Sequence, residues 1–263
     1  MAKRSKARKT DTEEDSSASP ACTSTKEITS AAITLSSRHA FPTNSLDHCE
    51  TPLRAYQHIA PVLETIANRL NLQPSKLRIY DPYYCDGSMK QHLSTLGYTR
   101  VIHFNVDFYH QIQNKSIPEH DVLLTNPPYS EDHIEKLLQF VTTSNNDKPF
   151  LLLMPNWVAR KSEYNSLMGN VPHFFLSPVK PYTYTMPLWN EDKPDHVQEN
   201  GETTPYLSSW YISLNCSEME LGEVERRLDG IAKKKKGEEM GWVVAKTVKG
   251  LKWKIQKVNK KKR

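Results

Sequence analysis

The sequence lacks the features that mark membrane, secreted or metal-binding proteins. No apolar stretch approaches the roughly 18 residues that a membrane helix needs, and no apolar segment follows the basic amino-terminal residues to form a signal peptide. Its cysteines are too scattered for a metal-ligand pair and too few for a disulfide framework; they are Cys22, Cys49, Cys85 and Cys216. We therefore expect reduced thiols, no metal, no membrane association, and a nuclear or cytoplasmic location.

The chain is also short of apolar residues, which make up 37% of its 263 residues against roughly 45–50% in typical globular proteins. Part of it is therefore predicted to lie outside a packed core. Residues 1–45 are basic and rich in Ser and Thr without periodicity, which predicts disorder. Residues 219–263 are predicted to be a lysine-rich extension, in which 241–258 form a hairpin or an amphipathic element. Residues 46–218 remain as one domain.

Within residues 46–218, short apolar runs alternate with amphipathic segments. A helix of about four turns is predicted to start at Pro52 with Thr51 as its cap, another to follow residues 81–88 and stop at Gly97, and a third to begin at Ser130 with that serine as its cap. The predicted strands are LRIYDPYY, RVIHFNVDFY, DVLLTNPPY, FLLLMPNWV and LSSWYISL. This alternation predicts an α/β fold, a Rossmann-like doubly wound and mostly parallel sheet buried on both faces.

Three polar residues fall at or just after predicted strand ends: Asp81, Asp107 and Asn126. Ligands of doubly wound sheets bind at the carboxyl ends of the strands. The loop DPYYCDGS at 81–88 has one glycine, Gly87, where a dinucleotide loop has three, so alone it is a weak signal. Asp107 follows Gly87 at about the 20-residue spacing of an acid that binds a ribose, and a solvated loop carboxylate is the alternative.

The most specific motif comprises Asn126, Pro127, Pro128 and Tyr129, which follow an apolar strand. An amine whose lone pair is delocalised is a poor nucleophile. The Asn126 side-chain carbonyl and the Pro127 backbone carbonyl can accept its two hydrogens and orient it toward a methyl donor. The prolines stiffen the backbone, and the Tyr129 ring offers a surface for a flat substrate. The alternative is a simple turn that ends a strand.

In this order, DPYYCDGS, VDF and NPPY resemble S-adenosylmethionine (SAM)-dependent methyltransferases of the adenine-N6 type, including phage-like DNA enzymes and related nucleic-acid enzymes. The resemblance covers about residues 47–160 and implies a class I methyltransferase fold with SAM as cofactor. Cys85 replaces the first glycine of that family's DPxCGxGx loop. The short interval between DPYY and NPPY leaves open whether one strand–helix unit is missing, and whether Asn105 or Asp107 holds the ribose.

The resemblance assigns one set of residues to the cofactor: Thr51, Asp81, Tyr83, Tyr84, Cys85, Gly87, Asn105, Asp107 and Phe108. For Thr51 a plain helix cap is the alternative. A second set, predicted to meet the substrate, comprises Tyr129, Asn156, Trp157, Arg160 and Lys161. The long segment 180–206 adds three base-contacting candidates, namely Tyr182, Tyr184 and Trp189.

The leading hypothesis for the substrate is adenine-N6 in RNA, favoured over DNA. Lysine-rich ends attract phosphate without regard to sequence, and they are typical of nuclear or nucleolar addresses. Alternatives are DNA adenine, a protein glutamine amide, and a non-catalytic scaffold that keeps the fold without the cofactor. The sequence names no activating protein partner.

Overall fold

A computed structural model describes residues 39, 41–145, 147–187, 189, 190, 194–234 and 241–260. Most of the segment predicted to be disordered therefore lies outside the described residues. The helices are α1 Leu53–Arg69, α2 Ser88–Thr95, α3 Phe108–Gln113, α4 His133–Thr143, α5 Ser162–Met168, α6 Glu218–Lys234 and α7 Val248–Lys260. The strands are β1 Ile79–Tyr80, β2 Val101–Ile102, β3 Val122–Thr125, β4 Phe150–Pro155, β5 Phe174–Pro178, β6 Tyr184–Thr185, β7 Glu202–Thr203, β8 Ser208–Ser213 and β9 Trp242–Ala245.

Seven of these strands form a central sheet in the order β2-β1-β3-β4-β8-β5-β9, and β6 pairs with β7 apart from it. Strands β1 to β5 run in one direction, while β8 and β9 run in the other. The prediction of a mixed α/β fold with a mostly parallel sheet is confirmed. In the described residues a single strand, β2, lies beyond β1, where the doubly wound dinucleotide fold has two.

Alternate side chains of each strand enter two cores, one on each face of the sheet. In β4, Leu151 and Leu153 pack beneath α1, α2 and α6, whereas Leu152 and Met154 face α3, α4, α5 and α7. A strand has a period of two residues, and helices cover both faces, so both sets of side chains are buried. This explains the nearly continuous apolar strands of the sequence.

Three local predictions were wrong, each because a polar side chain finds another partner. Helix α1 starts at Leu53 and Pro52 is its cap residue, while Thr51 is buried beside Tyr56. Ser130 does not cap α4, which follows Asp132 without a side-chain cap. The strand predicted over 100–109 ends after Ile102.

Residues 108–113, which begin within that predicted strand, form α3 instead. The carboxylate of Asp107 caps this helix, because its Oδ1 accepts hydrogen bonds from the backbone N–H of Tyr109 at 2.8 Å and of His110 at 3.3 Å. Satisfying these free N–H groups favours the helix over continued strand.

The carboxyl-terminal residues add to the same body rather than extending away from it. Strand β9 pairs antiparallel with β5, so Val244 lies opposite Leu176. Leu221 and Leu228 of α6 enter one core and Leu251 of α7 enters the other. Residues 241–258, whose structure the sequence left undecided, thus form a strand and an amphipathic helix.

Candidate functional site

The strand order reverses between β1 and β3, which makes the carboxyl ends of these two strands the expected ligand crevice of a doubly wound sheet. Asp81 directly follows β1 and Asn126 directly follows β3. Two cavities open at this edge. The first, called here the acidic cavity, has a volume of about 330 Å³, and the second, the aromatic cavity, of about 290 Å³.

The acidic cavity lies between the first two strand-to-helix turns and the segment that precedes α1. Its walls are formed by Phe41, Pro42, Thr43, Asn44, Asp47, His48, Cys49, Pro82, Tyr83, Tyr84, Cys85, Val106, Asp107, Phe108, Tyr109, Asn126, Pro128, Glu131 and His133. These include three acids, Asp47, Asp107 and Glu131, and no lysine or arginine is among the described residues that line it. Burial lowers the pKa of His48 to about 4, so this imidazole is neutral at pH 7. The cavity therefore favours a cationic ligand over a phosphate.

The aromatic cavity lies on the other side of the NPPY turn. Its walls are formed by Asn44, Leu46, Asp47, Cys49, Asn126, Pro127, Tyr129, Ser130, Tyr184, Met186, Pro194, His196, Thr203, Pro205 and Tyr206. The Tyr129 and Tyr206 rings meet edge to face, with centroids 5.6 Å apart. Asn126, together with Asn44, Asp47 and Cys49, lines both cavities. The Asn126 side chain thus stands in the wall that the two cavities share.

Two side chains, those of Tyr129 and Asp47, hold the NPPY turn in place. The Tyr129 hydroxyl donates to Asn126 Oδ1 at 2.5 Å and also lies 3.2 Å from the Leu153 carbonyl oxygen. Asp47 Oδ1 accepts hydrogen bonds from the backbone N–H of Tyr129 and of Ser130, each at 3.3 Å, and its Oδ2 accepts one from the Ser130 hydroxyl. A carbonyl oxygen has two lone pairs, so Asn126 Oδ1 can accept a second hydrogen from a ligand.

Asp81 supports the site from beneath instead of lining it. The carboxyl is 6% exposed, and its Oδ1 accepts hydrogen bonds from the Thr125 hydroxyl at 2.5 Å and the Tyr83 backbone N–H at 3.1 Å. Burial raises the pKa of Asp81 to about 6, although His103, 3.6 Å away, acts in the opposite direction. Asp81 therefore ties the ends of β1 and β3 together at a cost in solvation.

The loop after Asp81 is fixed by Glu50 rather than by glycines. Glu50 accepts hydrogen bonds from the Asp86 backbone N–H at 2.6 Å and from the Ser88 hydroxyl. Gly87 has φ of +90°, and a Cβ there would lie 3.2 Å from the Tyr84 hydroxyl, which is why glycine suits this position. Burial raises the pKa of Cys85 strongly and that of Cys49 to about 11, so both thiols are neutral.

The structure brings together part of the cofactor set that the resemblance implied. Tyr83, Tyr84, Cys85, Asp107 and Phe108 line the acidic cavity. Four others do not: Thr51, Asp81, Gly87 and Asn105. Asn105 Oδ1 lies 2.9 Å from His39 Nδ1, whereas Asp107 lines the cavity. The backbone N–H groups of Tyr109 and His110 both donate to Oδ1 of Asp107 and not to its Oδ2.

The substrate candidates after β4 lie near the same edge but do not line the aromatic cavity. Asn156 Oδ1 accepts a hydrogen bond from the Ser209 hydroxyl at 2.6 Å, and Lys161 Nζ lies 4.9 Å from the centroid of the Trp157 ring. Arg160 lines a third cavity of about 410 Å³, called here the basic cavity, between α5 and α7.

The tyrosine candidates of segment 180–206 lie in two different places. Tyr184 lines the aromatic cavity, whereas Tyr182 is buried in the core with its hydroxyl 2.9 Å from His58 Nδ1. Trp189 lines neither of the two cavities, and its ring packs against His48.

Several residues that line the two cavities were not predicted from the sequence. They are Asp47 and its neighbours from Phe41 to Cys49, Tyr109, Glu131 and His133, and on the aromatic side Met186, His196, Thr203, Pro205 and Tyr206. One signal was available: Asn44 caps the short 3-10 turn Ser45–Asp47 by accepting a hydrogen bond from the Leu46 N–H at 3.0 Å. Such an Asn turn argues against disorder at this point.

No protein-family model and no curated protein matches this chain. Among the described residues, none of the helices has the length and apolar character to cross a membrane, and no cluster of His, Cys, Asp or Glu could hold a metal ion.

Proposed function

We propose that this protein is a SAM-dependent N-methyltransferase whose preferred acceptor is the N6 amine of adenine in RNA. The observation that carries the proposal is the position of Asn126 in the wall between an acidic cavity and an aromatic cavity. A bisubstrate reaction needs such an arrangement, because donor and acceptor must approach from separate cavities and meet at one point.

The residues of the acidic cavity fit SAM. A sulfonium is a cation, and the charged side chains lining the cavity are acidic. Asp107 would bind the ribose hydroxyls through Oδ2, and Phe108 would contact the adenine. When bound, SAM supplies an electrophilic methyl group on positively charged sulfur. A pyrophosphate cofactor fits poorly, because it needs a glycine-rich loop and tolerates few acids.

On the acceptor side, the Asn126 side-chain oxygen and the Pro127 carbonyl oxygen accept the two hydrogens of a planar NH₂ group. These bonds orient the nitrogen lone pair toward the shared wall and increase its electron density. Tyr129 holds Asn126 in place through the 2.5 Å hydrogen bond, so little reorganisation is needed. The nitrogen would take the methyl group as the bond from that methyl to the sulfonium sulfur breaks, which leaves neutral S-adenosylhomocysteine, and the nitrogen would lose one proton to solvent.

A nucleic-acid acceptor is supported by the basic cavity. Arg160, Lys246, Lys249 and Lys252 line it, where α5 faces the start of α7. Four cations around one depression suit the phosphates of a polynucleotide, which position the chain without reading its sequence. A glutamine side chain in a protein makes no use of such a cavity.

The test incubates the protein with methyl-labelled SAM and separate RNA, DNA and protein fractions. We expect label in RNA as N6-methyladenine. Label confined to DNA would replace the substrate while keeping the mechanism, and label confined to protein would refute the nucleic-acid assignment. Calorimetry with SAM alone separates catalysis from the scaffold alternative, because an absence of binding heat would contradict the proposal as a whole.

A further inference from the structure

Two residues that line the aromatic cavity carry buried hydroxyl groups that no described residue satisfies. Tyr184 and Thr203 are each 3% exposed and line this cavity. The Tyr184 hydroxyl and Thr203 Oγ1 have no hydrogen-bond partner among the described residues; the Tyr129 and Ser208 hydroxyls lie near Tyr184 without the geometry of a bond. A buried polar group left unpaired is destabilising, so two beside one cavity point to a ligand that completes their bonding.

The backbone holds these two residues side by side. Tyr184 of β6 lies directly opposite Thr203 of β7. The short ribbon is anchored to the segment before α1, because the Glu50 N–H donates to the Thr185 carbonyl at 2.8 Å and the Thr185 N–H donates to the Glu50 carbonyl at 3.2 Å. The two side chains therefore lie beside each other at fixed positions on the ribbon.

The rest of the aromatic cavity suits a flat ring. Pro205 and Tyr206 contribute to its wall, and Tyr206 keeps 44% of its surface exposed beside the Tyr129 ring. Proline and tyrosine offer flat, weakly polar faces on which an aromatic ring can stack. Asn126 and Pro127 line the same cavity and offer the two carbonyl oxygens that would hold an amine.

We propose that Tyr184 and Thr203 read the edge of an amino-substituted heterocyclic base whose NH₂ group is held by Asn126 and Pro127. This inference rests on the proposed function and deepens it. A primary amide whose two N–H groups are already bound has one polar atom left, its carbonyl oxygen. A base has ring nitrogens or further exocyclic groups along its edge, enough for two hydroxyls, as enzymes that read an extruded base require.

The variants Tyr184→Phe and Thr203→Val delete each hydroxyl and keep the side-chain volume. Because these hydroxyls have no hydrogen-bond partner in the part of the chain that the structure describes, we expect neither variant to lower the thermal stability of the free protein. Each should weaken base binding by about tenfold and leave SAM affinity unchanged. Tyr182→Phe is the matched control: its hydroxyl contacts His58 in the core, so this change should lower stability and leave base binding intact.

The probes are AMP, CMP and N-acetylglutaminamide, titrated separately against the SAM-saturated protein by NMR. We expect AMP or CMP to bind, the amide to bind more weakly, and only nucleotide binding to fall in the two variants. Unchanged nucleotide affinity in both variants, preferential binding of the amide, or no nucleotide binding by the unmodified protein would each overturn the inference. The proposed function fails separately, through an absence of SAM binding or of methyl transfer.

Discussion

Replacing Asp81 by asparagine tests whether this acid is held at the site against its solvation cost. Its carboxyl is buried between the ends of β1 and β3, and burial raises its pKa from 3.8 to about 6. A carboxyl with a raised pKa binds more protons in the folded state than in the unfolded state between these two values. Stability is therefore lost as pH rises through the window from 3.8 to about 6, and the loss is complete above it.

The magnitude follows from the difference of about two pKa units, each equivalent to about 1.4 kcal/mol. The ionised Asp81 should lower the free energy of unfolding by about 3 kcal/mol at pH 7.5 and by about 1 kcal/mol at pH 4.5. An asparagine side chain carries no charge, and its oxygen can still accept the hydrogen bonds from Thr125 and Tyr83. The variant Asp81→Asn should be more stable than the natural protein by these amounts.

The assay is urea unfolding of both proteins at the two pH values, followed by circular dichroism. Asp121→Asn is a control of opposite sign: burial acts to raise the Asp121 pKa, but hydrogen bonds and charge from Arg78 outweigh it and lower that pKa. Replacing Asp121 by asparagine should lower the free energy of unfolding at pH 7.5, and the loss should be smaller at pH 4.5. A stability difference for Asp81→Asn that is equal at both pH values, or negative at pH 7.5, would refute the reasoning.

Three further predictions concern the cavities and the loops around them. Asp107→Ala should weaken SAM binding by roughly tenfold or more in calorimetry, because it removes the carboxylate proposed to bind the ribose hydroxyls. An unchanged SAM affinity would exclude this contact between Asp107 and the ribose. Gly87→Ala should lower the free energy of unfolding by about 1–2 kcal/mol, because φ is +90° there, and a neutral effect in thermal unfolding would contradict that cause. Ser130→Ala should release the NPPY turn from Asp47. In steady-state assays this variant should therefore lose more turnover than SAM affinity, and equal losses in both would contradict a role of this contact in positioning the turn.

Periodicity and turn residues predicted five of the seven strands of the central sheet and placed Asn126 at its edge. Apolar strands such as β4 are buried on both faces, and their sequence shows it directly. The same reasoning missed β5 and left β9 undecided, because the pairing of these two strands joins residues far apart in the chain. Short-range patterns carry no information on such a pairing.

The errors at the site have a common origin in tertiary hydrogen bonds. Ser130 has the residue type of a helix cap, but the Asp47 carboxylate, far earlier in the chain, accepts the hydrogen bond of its hydroxyl. Thr203 and Tyr206 come from an aperiodic segment, in which the sequence analysis named Tyr182, Tyr184 and Trp189 as base-contacting candidates instead. Their positions depend on the β6–β7 ribbon and its pairing with Glu50.

The central claim is that Asn126 acts on the acceptor amine and not on the cofactor. The most direct measurement compares the natural protein with Asn126→Ala for SAM affinity by calorimetry and for methyl transfer from labelled SAM to total RNA. Tyr129→Phe is the companion variant, because it removes the hydroxyl that holds the Asn126 side chain. We predict that Asn126→Ala keeps its SAM affinity within about twofold and loses roughly a hundredfold or more in methyl transfer. Equal methyl transfer by Asn126→Ala and the natural protein would contradict the account.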